Sequence, residues 1–115
     1  MVLIEEEINE IVAASIDRCL DNIGRGFKDI FYWSLETRVG VRRDEIVERP
    51  EEFVKYLEKM FPSGSSIVKD EIRSQIEEDL AISWTNSNLA ALIRFAAREY
   101  PETQQEFGLE RRIDS

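Results

Sequence analysis

Apolar residues recur along this chain at intervals of three and four, and no useful stretch alternates at intervals of two. That is the spacing of a helix face, which turns about 100° per residue, and not of a strand. Over residues 3–23, Ile4, Ile8, Ile11, Val12, Ile16, Cys19, Leu20 and Ile23 share one face, while Glu6, Glu10, Asp17 and Asp21 take the other. Glu5, Glu6 and Glu7 also suit the positive end of a helix dipole. Gly24-Arg25-Gly26 then marks either a turn or a kink in one long helix. Two glycines so close weaken a helix by about 1 kcal/mol each relative to alanine, so a break is the favoured reading.

Residues 27–38 carry Phe27, Ile30, Phe31 and Leu35 on one face, and Gly40 reads as the stop. Phe31, Tyr32 and Trp33 are consecutive, so they point about 100° apart and cannot all meet one partner. Residues 41–49 read as a connector of one turn, with Asp44 as its cap and Ile46 turned inward. Pro50 suits the first position of a helix over 50–61, whose stripe is Phe53, Val54, Tyr56, Leu57, Met60 and Phe61. Ser65 or Ser66 is expected to cap a helix over 66–82, with Val68, Ile72, Ile76 and Leu80 every fourth residue. Asp79 falls inside that stripe, so it needs an ion-pair partner or a capping role. Turn-rich Trp84–Asn88 leads into a last helix over 86–100, apolar around much of its circumference. These elements predict an all-α, compact bundle of about five helices with no sheet. Residues 1–100 form one domain and 101–115 a polar tail, expected to be mobile or weakly docked.

Composition narrows the function. The 115 residues include 24 acidic and 15 basic side chains, for a net charge of −9. A field of that sign argues against general binding to nucleic acid or anionic membrane. No apolar run reaches the roughly 18 residues that cross a bilayer. Glutamates stand where a signal peptide would carry lysine, so a cytoplasmic protein is expected. The surface rich in glutamate, lysine and arginine also resembles the ion-pair-rich composition of thermophiles.

Candidate chemistry is sparse. The chain has no histidine and one cysteine, which removes the usual structural zinc sets. Carboxylate pairs such as Glu6–Glu10 and Asp17–Asp21 have chelating spacing but read as a solvated face. Cys19 lies in an apolar stripe without a base, so it reads as a small buried hydrophobe. No catalytic residue, cofactor site or metal site is assigned, and the chain is expected not to be an enzyme.

Association is better supplied. Tyr32, Trp33, Trp84, Phe95 and Tyr100 are the candidate interface residues, because Tyr and Trp concentrate interface energy. The expected partner is a protein, in the first place a second copy forming a homodimer through the last helix. A charge at Phe95 or Ala97 would then give a folded but dissociated protein. Two alternatives have their own signatures. Arg25, Arg38, Arg42, Arg43 and Lys55 gathered on one face would favour a helical DNA-binding regulator. A closed apolar cavity lined by Trp33, Tyr56 and Trp84 would favour a small-molecule-binding bundle.

The stretch FYWSLETRVGVRRDEIVERPEEFVKYLEKMFPSGSSIVKDEI has a recognisable plan. An aromatic-rich helix ends Tyr32-Trp33-Ser34-Leu35, followed by the Gly40 turn, the Asp44-Glu45-Ile46 connector and a Pro50-x-x-Phe53 helix start. Over about residues 27–80 it resembles small archaeal helical domains of uncharacterised function, among them the Nitrosopumilus-type output domains of signalling proteins. The resemblance implies an all-helical interaction or output module and carries no ligand or catalytic residue. The Pro62-Ser63-Gly64 turn and the last helix depart from, or lie outside, the matched plan.

Overall fold

A computed structural model describes residues 4–84 and 88–100 of the chain. Among these residues five α-helices follow one another: α1 (Glu5–Ile23), α2 (Phe27–Val39), α3 (Pro50–Met60), α4 (Ser65–Leu80) and α5 (Leu89–Arg98). A single 3₁₀ turn, Arg43–Glu45, sits in the connector between α2 and α3. The fold is a compact all-α bundle, with no strand among the described residues. The polar tail assigned from sequence lies outside the described residues.

Local chemistry explains most of the helix ends. Glu7 reaches back to accept the backbone N–H of Ile4 at 3.1 Å, which supports the start of α1. The break between α1 and α2 is real: Gly26 adopts φ 78°, a left-handed conformation that glycine takes without strain. Gly40, at φ 76°, ends α2 by returning its N–H to the carbonyls of Glu36 and Leu35. Pro50 occupies the first position of α3. Asn88 accepts the N–H of Ala91 at 3.0 Å and so caps α5.

Three expected helix ends differ. Asp44 does not cap the connector; Glu45 accepts the N–H of Arg42 at 3.0 Å, so the turn opens at Arg42 instead. Neither Ser65 nor Ser66 caps α4, because Ser65 already bonds back to the Phe61 carbonyl at 3.0 Å and is helical. Gly64 takes the capping position without a side-chain bond. The C-terminus of α4 comes at Leu80, not at 82, because Ala81 turns left-handed at φ 54°.

The first four helices run antiparallel in chain order, with Lys69 of α4 pairing back to Glu58 of α3. Lys28 pairs with Asp21, Tyr32 with Asp17 and Arg43 with Glu10, a descending series that folds α2 back along α1. Phe27 packs on Phe61, while Phe31 meets Tyr56 and Phe53, so α3 returns along α2. The fourfold stripe of α4 is buried at each step, Val68, Ile72, Ile76 and Leu80. Each four-residue step gains about 40° of rotation, so the stripe sweeps about 120° and serves several neighbours. Accordingly α4 packs on α1, α3 and α5.

The last helix holds a central place. Its Leu89, Ala90, Leu92, Ile93, Ala96 and Ala97 are all buried, against α1, α3 and α4. The all-round apolar character seen in the sequence is thus satisfied within one chain.

Candidate interaction surface

Three polar constellations lie between the helices, and each fixes side chains that sequence singled out. At the α1–α4 seam, the buried Ser15 hydroxyl stands 2.6 Å from Asp79 Oδ2 and 2.8 Å from the Ile11 carbonyl. Arg18 also pairs with Asp79 Oδ2, and Gln75 donates to Oδ1 at 3.1 Å. The misplaced carboxylate of the apolar stripe therefore has the ion-pair partner it required.

The second constellation joins α1, α2 and the connector. Arg43 donates through Nε and a terminal nitrogen to both Asp17 oxygens, the shorter contact 2.7 Å, and to Glu10 at 3.0 Å. Tyr32 donates to Asp17 Oδ1 at 2.5 Å. Burial raises the pKa of the Tyr32 phenol, and the adjacent Asp17 raises it further. The Arg43 pKa is raised by its hydrogen bonds to Asp17 and Glu10, so its charge is fixed. In the third, Ser34 and Tyr56 share a buried hydrogen bond between α2 and α3.

Three of the four acids in the spaced carboxylate pairs are engaged in ion pairs. Asp17 and Glu10 hold Arg43, and Asp21 holds Lys28. Among the described residues, no group of three or more cysteines and carboxylates is placed to hold a metal ion. Cys19 is buried as its stripe position required. Burial, with Glu71 adding to it, pushes the thiol up to about 11.

The five candidate interface residues separate. Trp84, Phe95 and Tyr100 are brought together, with ring centroids 5.3 Å apart for Trp84–Phe95 and 6.4 Å for Phe95–Tyr100. The Tyr100 hydroxyl donates to the Leu80 carbonyl at 3.0 Å, which closes this stack over the end of α4. Tyr32 is half-buried and held by Asp17. Of the five, Trp33 alone faces solvent, at 65% exposure, and Ile30 one turn before it is 61% exposed.

The geometry of α2 explains that choice. At about 100° per residue, Ser34, Phe27, Phe31 and Leu35 share a single side of the helix, with Arg38 of the last turn the one exposed residue among them. Ser34, Phe31 and Leu35 are buried there and Phe27 is half-buried. Further round from Leu35, past Lys28 and Val39, Tyr32 reaches α1. In the other direction, beyond Ser34, come Ile30, Thr37 and then Trp33, all exposed. They form a strip beside the buried side that neither α1 nor α3 covers. Asp29 and Glu36, at the outer edge of this strip, are exposed and stand one turn before and one turn after Trp33. Neither carboxylate enters an ion pair among the described residues. The sequence showed surplus aromatics here, but which of three neighbours stays outside depends on where α1 and α3 dock.

The cavity signature is not assembled, and two of the five cations of the other signature are held by acids. Arg43 and Arg42 are engaged by acids. Arg25 precedes α2 and Arg38 lies in its last turn, about 18 Å further along the helix axis. Trp33 is exposed, Tyr56 is buried against Phe31, and Trp84 lies on Phe95, three separate settings. An open groove of about 280 Å³ lies instead between α3 and α5, with Val54, Ala90 and Ala91 among its lining.

No helix among the described residues is long and apolar enough to cross a membrane. Comparison of the chain with known protein families, curated sequences and solved structures finds no match. The fold and the surface define the class at hand: a small helical bundle with, among the described residues, an uncovered strip around Trp33.

Proposed function

We propose that this chain is a non-enzymatic, cytoplasmic protein–protein interaction module whose contact surface is the Ile30–Trp33 strip of α2. One observation carries the reading: Trp33 is 65% exposed at the middle of a helix whose other large aromatics are engaged inside the fold. A tryptophan in water forgoes the burial that makes it a frequent energetic centre of interfaces. The resemblance of residues 27–80 to archaeal output domains supports the same role, as the output part of a signalling protein.

Self-association is the second reading, moved from α5 to α2. The burial of α5 within one chain removes the ground for a dimer through that helix. A homodimer would have to use the α2 strip.

A photo-reactive amino acid at position 33 tests the proposal in cells that make the protein. Protein adducts are expected at position 33, lost when Ile30→Asp is added, and weak from the same probe at the exposed Glu58. Equal adduct yield from positions 33 and 58 would remove the basis for an interface on α2. Sedimentation at tens of micromolar separates a second copy from a different partner.

A further inference from the structure

We infer that the α2 strip takes a basic amphipathic helix, with an arginine or lysine seated over the Trp33 ring and an apolar side chain covering Ile30. This rests on the interaction reading and names the partner's chemistry. Trp33 is bracketed on its own helix by Asp29, four residues before, and Glu36, three residues after. Both carboxylates are exposed, and neither is spent on an ion pair among the described residues. An indole face attracts a cation through its quadrupole, and carboxylates one turn to either side supply hydrogen-bond acceptors for the same group. On the other side of the strip stand the Arg49–Glu52 pair, at the start of α3, and the exposed Lys59 near its end. The unsatisfied acid therefore lies on the edge away from α3. Ile30, Trp33 and Thr37 form one ridge at spacings of three and four, the shape that seats between side chains of another helix. The net charge of −9 also steers a cationic partner toward the molecule.

A second copy fits this edge less well. In an antiparallel two-fold pairing of α2 with itself, the symmetry brings the outer edges of both helices to the same side. Asp29 and Glu36 of each copy would then line one rim as four unpaired carboxylates. Like charges so arranged oppose pairing.

The probe is a pair of designed helical peptides with the same leucine pattern, one with arginine and one with glutamate at the polar positions. Binding is read in the intact protein from the indole N–H signal of Trp33, assigned by its loss in Trp33→Phe. The arginine peptide is expected to shift this signal and the amides of residues 29–37, and the glutamate peptide to leave them unmoved. Replacing both flanking acids, Asp29→Asn with Glu36→Gln, should weaken binding by about tenfold. Glu5→Gln with Glu6→Gln, the same charge change on α1, should weaken it less than twofold.

Equal weakening by the two double variants would show attraction by the general field and sink the proposed site. Equal binding of both peptides at Trp33 would sink the cationic partner while leaving the α2 surface intact. A Trp33 signal that shifts with protein concentration alone, with a doubled mass, would assign the strip to a second copy. If Trp33 responds to neither peptide nor concentration, both the partner and the α2 interface fall together.

Discussion

The phenol of Tyr32 donates a 2.5 Å hydrogen bond to Asp17 Oδ1 across the α1–α2 interface. Burial works against a charge on Asp17, but the bonds from Arg43 and Tyr32 outweigh it and hold the carboxyl below its usual 3.8. A folded-state pKa below the unfolded one means that the unfolded chain binds more protons between the two values. The stabilisation is therefore complete above the unfolded value and is lost as pH falls through the lowered folded one. Asp17→Asn is expected to cost about 1–3 kcal/mol at pH 7, because Arg43 loses its main acceptor. Urea unfolding at pH 7 and pH 3 should show the two proteins far apart at pH 7 and closer at pH 3. An unchanged midpoint at pH 7 would deny Asp17 this role.

Adjacent and nearly adjacent aromatics on α2 should respond oppositely to truncation. Phe31 is fully buried, so Phe31→Ala is expected to cost about 3–5 kcal/mol. Trp33→Ala removes a larger side chain from solvent and should change stability by less than about 0.5 kcal/mol. Chemical denaturation of the two variants measures both. A Trp33→Ala loss comparable to that of Phe31→Ala would mean that Trp33 packs within the fold.

A charge on α5 should unfold the protein and not merely dissociate it. Ala97 is buried where α5 meets its neighbours, so Ala97→Asp places a carboxylate without a partner in the core. A loss of about 3 kcal/mol or more is expected, read as a collapse of the thermal transition. A fully stable variant of reduced mass would instead restore α5 as a subunit interface.

Ala81 holds a left-handed conformation, φ 54° and ψ 45°, at the end of α4. A Cβ in that region costs about 1–2 kcal/mol, and glycine avoids it at some loss of entropy. Ala81→Gly should thus stabilise the protein by about 0.5–1 kcal/mol in calorimetry. Destabilisation would contradict the left-handed stop.

The helices were legible from their periodic apolar faces: the α4 stripe appears in the sequence at residues that are buried, and the α3 stripe at residues that are buried or half-buried. Gly26, Gly40 and Pro50 were legible as punctuation because their backbone restrictions are local. Partners were not. Nothing within α4 says that Ser15 and Arg18 will meet Asp79, since those groups lie more than 60 positions away. The place of α5 was undecided for a similar reason: an apolar circumference is equally consistent with a central helix and with a subunit contact. Only the packing of α1, α3 and α4 around it decides. The surface strip needed the same information, because three successive aromatics compete for two flanking helices.

The Ser15–Asp79 contact also works as an index mark for the long α1–α4 pairing. A seam of isoleucines and leucines alone tolerates sliding, since one turn of the stripe looks much like the next. Sliding α4 by a turn, about 5.4 Å, would carry Asp79 away from the Ser15 hydroxyl and leave its charge facing hydrocarbon. One carboxylate thereby makes a single alignment of these two helices the low-energy one.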